Sequence, residues 1–357
     1  MTSADTGTAP EDPAGSYTAE DYPGKVTKFL DDNATLVLSI IGFQSLDADT
    51  AVRRRGELVR LLDGDFRPDA VEHARHFDAA GFEGRLSFLY WRTDEQYEGW
   101  WNRPEVRSWW ENLPLDGPDG GTWRETMATT AGRHQYATGQ KAPAGPSAFL
   151  PLTPSPHFGF QGAYRARMAD SSFDRLGNDI RELPEPRPAD SLGRRLTVSL
   201  PENVCFIREG QTWDDCSEAE LQVWQRQMNP VIGSWVSELE RNPVGTGCIS
   251  IRDCIEQDGG GKDLERRSEI AFLLSLGHIE KAARKNPSHL ALMNAFTSMY
   301  AEATFDPTMN IWVEVQIPHT GKLEAEYINC HGLTGFLPFF ESRPALPAPR
   351  RRHAVPQ

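Results

Sequence analysis

No stretch of about 18 consecutive apolar residues occurs in the sequence, so nothing in it reads as a membrane-spanning helix. Basic charge is short: Lys and Arg total 37 against 51 Asp and Glu, a formal net charge of -14. Such a surface repels a phosphate backbone and an anionic lipid face, which sets nucleic-acid and membrane binding aside. Cysteine is scarce. Cys205, Cys216, Cys248, Cys254 and Cys330 are odd in number and form no CxxC, the usage expected of reduced cytoplasmic thiols rather than of a disulfide framework or a zinc site. The first 24 residues have neither a basic start nor an apolar stretch and do not read as a secretory signal. GxSxG and HExxH are missing. GGGKD at 259–263 lacks both the upstream glycine and the following Ser or Thr of a phosphate loop.

What is present suffices for a large core: 39% of 357 residues are hydrophobic, enough for two domains or one duplicated one. Residues 1–25 and 341–357 read as polar, Pro-rich tails. Between them two segments share a plan. In the first, TLVLSIIGF (35–43) and RLSFLYWR (85–92) read as strands around a helical RRRGELVRLLD (53–63), followed by an aromatic helical pair hinged at Pro104. In the second, RRLTVSL, NVCFIR, GTGCISIRDC and SEIAFLLSL read as strands and 217–242 and 279–303 as helices, with NIWVEVQI (310–317) and EAEYINC (324–330) closing the sheet. WWNRPEVRSWW and ARKNPSHLALM repeat one layout of helix, Pro and second helix, which points to internal duplication. The expected fold is α+β: duplicated ferredoxin-like repeats, like a dimeric α/β barrel, with an antiparallel sheet and surrounding helices. The expected division is a first repeat at 26–150, a connecting segment at 151–195 and a second repeat at 196–340.

Two histidine patterns invite a site. His73 and His76, three apart in EHARH with Glu72 alongside, would share a face if the segment were helical, although a solvated face is the plainer reading. His289 is placed differently. Asn286 suits an N-cap and Pro287 the first helical position, which sets His289 at the third. Leu292, Met293, Phe296 and Tyr300 then follow on the same stripe. Burial and the positive end of the helix dipole both favour a neutral imidazole, as an axial haem ligand must be. A core histidine bonded to a backbone carbonyl fits the same spacing.

Six segments in order bear on this choice: SIIGFQ (39–44), YWRTDEQYEGWWNRPEVRSWW (90–110), FGFQGAYRAR (158–167), IREGQTW (207–213), SLGHIEKAARKNPSH (275–289) and EYINCHGLTGFL (326–337). Together they resemble the haem-containing aldoxime dehydratases. The resemblance implies one haem b, ferrous in the active form, with His289 as the axial iron ligand. It implies a small N–O substrate bound through nitrogen, and loss of water from an aldoxime to give a nitrile. Arg165 corresponds to the family's distal arginine, and Val313 and Trp312 fall on the strand expected to border the substrate. A second copy of the chain is the expected macromolecular partner.

The chain departs from the family pattern at two places. Val313 stands where the family has its distal histidine, and an aliphatic side chain transfers no proton. Glu209 stands where the family has a distal serine, and a carboxyl there would serve as a replacement acid, turn to solvent or pair with an arginine. The family's further distal glutamate falls in GRHQYATG (132–139), which contains no glutamate. His331, His319 and His278 read as structural, turn and capping residues. Two alternatives stay open: a divergent haem enzyme acting on another N–O or N–N substrate, and a non-catalytic haem-binding protein. If Val313 holds the distal position, Val313→His will raise aldoxime turnover, measured as nitrile formed per haem; a fall in an already active protein would mean that Val313 lies elsewhere.

Overall fold

The structure is a computed structural model and describes residues 24–31, 33–117, 120–139, 144–155 and 163–345. The expected tails and part of the connecting segment, including Phe158–Gly162 of the family-like stretch, lie outside the described residues. The strands are β1 (Lys25–Thr27), β2 (Thr35–Ser45), β3 (Ala70–Phe77), β4 (Glu83–Trp91), β5 (Gly120–Thr130), β6 (His134–Thr138), β7 (Leu152–Pro154), β8 (Arg195–Val198), β9 (Cys205–Thr212), β10 (Cys248–Gln257), β11 (Asp263–Leu273), β12 (Asn310–Gln316), β13 (Leu323–Ile328) and β14 (Ser342–Pro344). The helices are α1 (Ala48–Val59), α2 (Asp94–Trp101), α3 (Pro104–Glu111), α4 (Ala163–Arg167), α5 (Glu218–Arg241), α6 (Pro243–Thr246), α7 (Leu276–Lys285) and α8 (Pro287–Ala301). The result is an α+β chain on one antiparallel sheet, in the order β14-β8-β13-β5-β2-β4-β3-β10-β11-β9-β12-β6-β1-β7.

Four strands in each half carry the same order. β2 to β5, with α1 after β2 and α2–α3 after β4, lie as β5-β2-β4-β3; β9 to β12, with α5 after β9 and α7–α8 after β11, lie as β12-β9-β11-β10. The halves join where β3 pairs with β10. Each half also pairs a glycine on its first strand with a tryptophan on its fourth: Gly42 with Trp123, and Gly210 with Trp312. In both pairs the indole lies across the glycine, where a Cβ would collide with the ring. Both rings carry an arginine: Arg252 stands 4.1 Å from the Trp123 centroid and Arg208 4.9 Å from that of Trp312.

The inner faces of the halves share one core, in which Leu38, Ile40 and Phe88 meet Phe206, Ile270 and Phe272. Buried charge crosses it. Arg252 of β10 donates to both oxygens of Glu125 on β5, at 2.9 and 2.8 Å. Arg208 of β9, fully buried, donates to Glu72 on β3 and Glu256 on β10, at 2.6 Å each. The outer face of the first half packs under α1–α3, where Trp91, Trp100 and Trp110 are buried as a tryptophan-rich core. The outer face of the second half packs under α5, α7 and α8.

Three expectations change. Residues 70–77 form β3 rather than a helix, so His73 and His76, an odd number apart, point to opposite faces. His73 meets Ser87 Oγ at 2.9 Å, and burial beside Arg55 lowers its pKa to about 4. Among the described residues no group of three or more His, Cys, Asp or Glu is arranged to hold a metal ion. β5 carries no readable apolar pattern because Arg124, Glu125 and Thr126 interrupt it; their partners are Tyr97 on α2, Arg252 on β10 and Ser39 on β2. β13 does not close the second half; it crosses to pair with β5 and β8.

Replacing Glu125 by alanine leaves the buried Arg252 guanidinium without its partner and should cost about 3–5 kcal/mol of stability, read by denaturant unfolding. The double change Glu125→Leu with Arg252→Met should recover most of that loss; if it does not, the pair matters for more than charge balance.

Candidate active site

Between β9, β11 and β12 on one side and α5 and α8 on the other lies a cleft whose empty space, open mouth included, is about 670 Å³. A second lobe of about 460 Å³ extends towards α7 and shares Tyr164, Glu209, Trp235, Glu269 and His289 with the first.

The helix wall is built by a break in the chain. Asn286 closes α7 through its N–H to the Ala282 carbonyl and opens α8 by accepting from Ser288 N at 3.0 Å. Pro287 has no N–H to lose at the first helical position. His289 follows, buried, with its imidazole 5.0 Å from the Trp235 ring in an edge-on contact. Burial lowers its pKa and a hydrogen bond to the Ala283 carbonyl opposes that fall in part, so the ring is neutral at pH 7 and held in one orientation. Trp224, Met228 and Ile232 of α5 and Leu292, Met293 and Phe296 of α8 complete an apolar slot. Glu220 at the start of α5 accepts from Thr308 N and Met309 N at 2.9 Å each, which ties α5 to the approach to β12.

The sheet wall is polar where it faces that slot. Register partners on antiparallel strands share a face. Glu209 on β9 pairs with Glu269 on β11 and with Val313 on β12. Glu209 accepts from the Tyr164 hydroxyl at 3.1 Å; desolvation raises its pKa while that hydrogen bond opposes the rise. Glu269 is buried and accepts from Gln211 Nε2 at 2.9 Å. Its pKa rises to about 7, through desolvation first, with Arg267 pulling down and Asp253 and Glu209 pushing up. Gln211 Oε1 is buried and has no hydrogen-bond partner among the described residues.

Of the residues singled out in the sequence, His289 and Glu209 stand on opposite walls of the cleft. Val313 points to the same face as Glu209 but packs with Ala137, Ile207 and Val315 instead of lining the cleft. Trp312 does not border it: the alternation of β12 turns the indole to the inner face, against Tyr136 and over Gly210. Arg165 is not a lining residue either. It braces α4 against α7 through Glu280, at 2.9 and 3.1 Å, and donates to the Arg175 carbonyl. The guanidinium that turns towards this face is Arg167, whose Nε donates to Gln135 Oε1 at 2.6 Å and whose pKa burial lowers to about 10. Gln135 is therefore what GRHQYATG contributes on this side. His331 bonds Asp78 at 2.7 Å, His319 meets Thr130 at 3.1 Å and His278 meets Ser275 at 2.8 Å, all away from the cleft.

Glu269, Gln211, Tyr164 and Arg167 were missed. The only sequence signal for Glu269 was a charge just before the apolar end of its strand, and its facing Glu209 depended on a strand register not written in either segment. The donor set suits a haem: one neutral, oriented imidazole on an apolar wall, with polar groups confined to the opposite wall.

A family model described as haem-containing dehydratase matches residues 39–336. The phenylacetaldoxime dehydratase of Bacillus sp. (strain OxB-1) is 32% identical over 333 residues, 92% of each chain. The aliphatic aldoxime dehydratase of Rhodococcus globerulus is 27% identical over 309 residues, 85% of this chain and 86% of the relative. A crystal structure of an aldoxime dehydratase in complex with butyraldoxime superposes with a TM-score of 0.81 at 25% identity, covering 89% of both chains.

Tyr164→Phe removes the hydroxyl that favours the charged form of Glu209, leaving desolvation unopposed. The Glu209 carboxyl should then titrate at higher pH than in the parent, followed by its side-chain carbon resonance; a downward move would mean that the hydroxyl accepts rather than donates.

Proposed function

The chain belongs to the haem-containing dehydratase family, and on that premise we propose that it removes water from an aldoxime to leave a nitrile, using one haem b held by His289. The observation that carries this reading is a neutral imidazole, oriented by a backbone carbonyl, facing a carboxyl-bearing sheet wall across an apolar slot. His289 would hold the haem there, and in its ferrous form the group would supply an electron-rich iron able to bind a nitrogen donor and weaken an N–O bond.

The polypeptide supplies the rest. Trp224, Met228, Ile232, Leu292 and Phe296 exclude water, so each polar contact acts at low dielectric. Gln211 Oε1, a buried acceptor, is suited to receive the oxime O–H. Glu209, with its pKa raised, holds a proton for the leaving hydroxyl where Val313 holds none. Arg165 positions rather than touches substrate: its ion pair with Glu280 fixes α4 and so keeps Tyr164 against Glu209. Arg167, bonded to Gln135 and 5.6 Å from the Tyr164 ring, is a second positive charge behind this wall.

The shared strand order and the two glycine–tryptophan pairs support reading 26–150 and 196–340 as duplicated ferredoxin-like repeats, with 151–195 as the connection that brings α4 to the second repeat. No helix of the described residues is long and apolar enough to cross a membrane. The unpaired cysteines, mostly buried, agree with a reducing cytoplasm. A homodimer is part of the same proposal and would be read by sedimentation.

Purified protein should show a Soret band that His289→Ala loses. Under anaerobic dithionite it should form nitrile from phenylacetaldoxime or butyraldoxime, and Glu209→Gln should lower kcat by about 100-fold or more. A colourless protein that takes up haem without spectral change would overturn the assignment of His289.

A further inference from the structure

Glu209 and Glu269 are direct register partners on β9 and β11, and both line both lobes of the cleft. Two carboxyls side by side on a sheet, Glu269 buried and Glu209 half-buried, are costly, and the single guanidinium within reach does not neutralise both. Arg267 Nε lies 2.9 Å from Glu269 Oε1, yet the same guanidinium donates to both oxygens of Asp253 at 2.8 and 2.6 Å. Gln211 and Tyr164 each supply one neutral donor, to Glu269 and Glu209 respectively. β12 presents Ile311 and Val313, α5 presents Trp224, Met228 and Trp235, and α8 presents the neutral His289. Arg167 on α4 bonds Gln135. Like charges in this setting cannot both ionise, so the pair keeps one proton between its two carboxyls. Burial and the neighbouring carboxylates act in that direction, holding Glu269 up to about 7.

We propose that Glu209 and Glu269 form a two-carboxyl acid–base unit that shares one proton and does both proton transfers of the dehydration. The inference rests on the reading of the cleft as an aldoxime site. The protonated carboxyl gives its proton to the oxime hydroxyl as the N–O bond breaks, and that bonding pair leaves with oxygen in water. The ionised partner takes the aldehydic C–H proton, and the C–H pair becomes the new C–N bond of the nitrile. One proton is given and one received, so the unit ends with a single proton, no net charge has moved and no oxidant or reductant is consumed. Such a unit restores an acid–base function at the wall where Val313 has none, with carboxyls in place of an imidazole.

The test compares Glu269→Gln, Glu209→Gln and the double variant, each checked for an unchanged Soret band and an unchanged spectral shift on aldoxime binding. Each single change should lower kcat by about 100-fold or more with KM little altered, and the double should be no worse than the poorer single, as residues acting as one unit require. Infrared difference spectra of wild type at pH 7 should contain a protonated carboxyl band that either single change removes. Stability gives an independent reading. Glu269 is protonated when folded and ionised when unfolded between its ordinary value of 4.5 and about 7, so unfolding releases a proton there and wild-type stability falls as pH rises through that window. Glu269→Gln abolishes that slope, so its melting temperature should gain on wild type from pH 5 to pH 8. A Glu269→Gln enzyme within threefold of wild type, or a carboxyl band that persists in it, overturns the shared-proton unit while leaving the aldoxime reading intact. Wild type that carries haem but forms no nitrile from any aldoxime overturns the functional reading, and the catalytic role of the pair with it; the infrared band and the melting curves then report the shared proton alone.

Discussion

Arg208 is the interaction on which the site depends. It is fully buried, tied to Glu72 of the first half and Glu256 of the second, and its guanidinium lies 4.0 Å from the Phe88 ring centroid. Its neighbour in sequence is Glu209. Alternation along β9 sends one side chain to the shared core and the next to the cleft, so the buried ion pair fixes which face Glu209 occupies. A one-residue slip would bury Glu209 in the core and expose Arg208 to the cleft, losing both. β11 repeats the device. Arg266 is held by Glu72 and Glu256 on the inner face, which leaves Arg267 and Glu269 on the outer one. One carboxylate from the first half thus sets the register of two strands in the second. This is a concrete use for buried charge, which by itself adds little to stability.

The helix wall meets the sheet wall through a different constraint. A histidine three residues into a helix is oriented only if the helix start is fixed, and here Asn286 and Pro287 fix it between α7 and α8. The Ala283 carbonyl then takes the ring from one side, and Trp235 of α5 packs against it from the other. The two walls are chemically opposite by construction: apolar side chains and a neutral imidazole on the helices, carboxyls and an amide on the strands. A substrate in the slot is therefore gripped on one side and offered protons on the other. The net charge of -14 belongs to the shell and takes no part in this division.

How much of this was legible in the sequence follows from how each residue signals its environment. β2 carries a near-continuous apolar run and β11 ends in one, Ile270–Leu273, so both were readable; the stop and restart at Asn286-Pro287 was readable because capping is local. His289 could be placed on an apolar stripe by counting along one helix. β3 and β5 were not readable, since His73, Arg75, Arg124 and Glu125 are polar residues whose partners lie on other elements. The same limit applies at the site. Alignment by motif put Arg165 in the pocket, but the short α4 turns it towards Glu280, while Arg167 bonds Gln135 on β6. Trp312 and Val313 are adjacent in sequence and face opposite ways. Glu269 carried no motif at all, because what matters about it is the identity of its neighbour across the ladder.

An imidazole has an ordinary pKa near neutrality and needs little from its surroundings to exchange protons at pH 7; a carboxyl has to be pushed there. The push seen on Glu269 comes from burial and from like charges nearby, and both lower the stability of the folded state near neutral pH. Such a strained group persists only when the rest of the structure over-determines its position. That is the relation between the two faces of the second half. The inner face carries Arg208 and Arg266 in buried ion pairs with Glu72 and Glu256 that lock β9 and β11 into one register. The outer face uses that register to hold two carboxyls where neither would settle alone. Replacing a histidine by a pair of acids therefore needs more than one substitution on a strand. It needs a ladder stiff enough to keep the acids together, and the buried guanidiniums beneath them provide it.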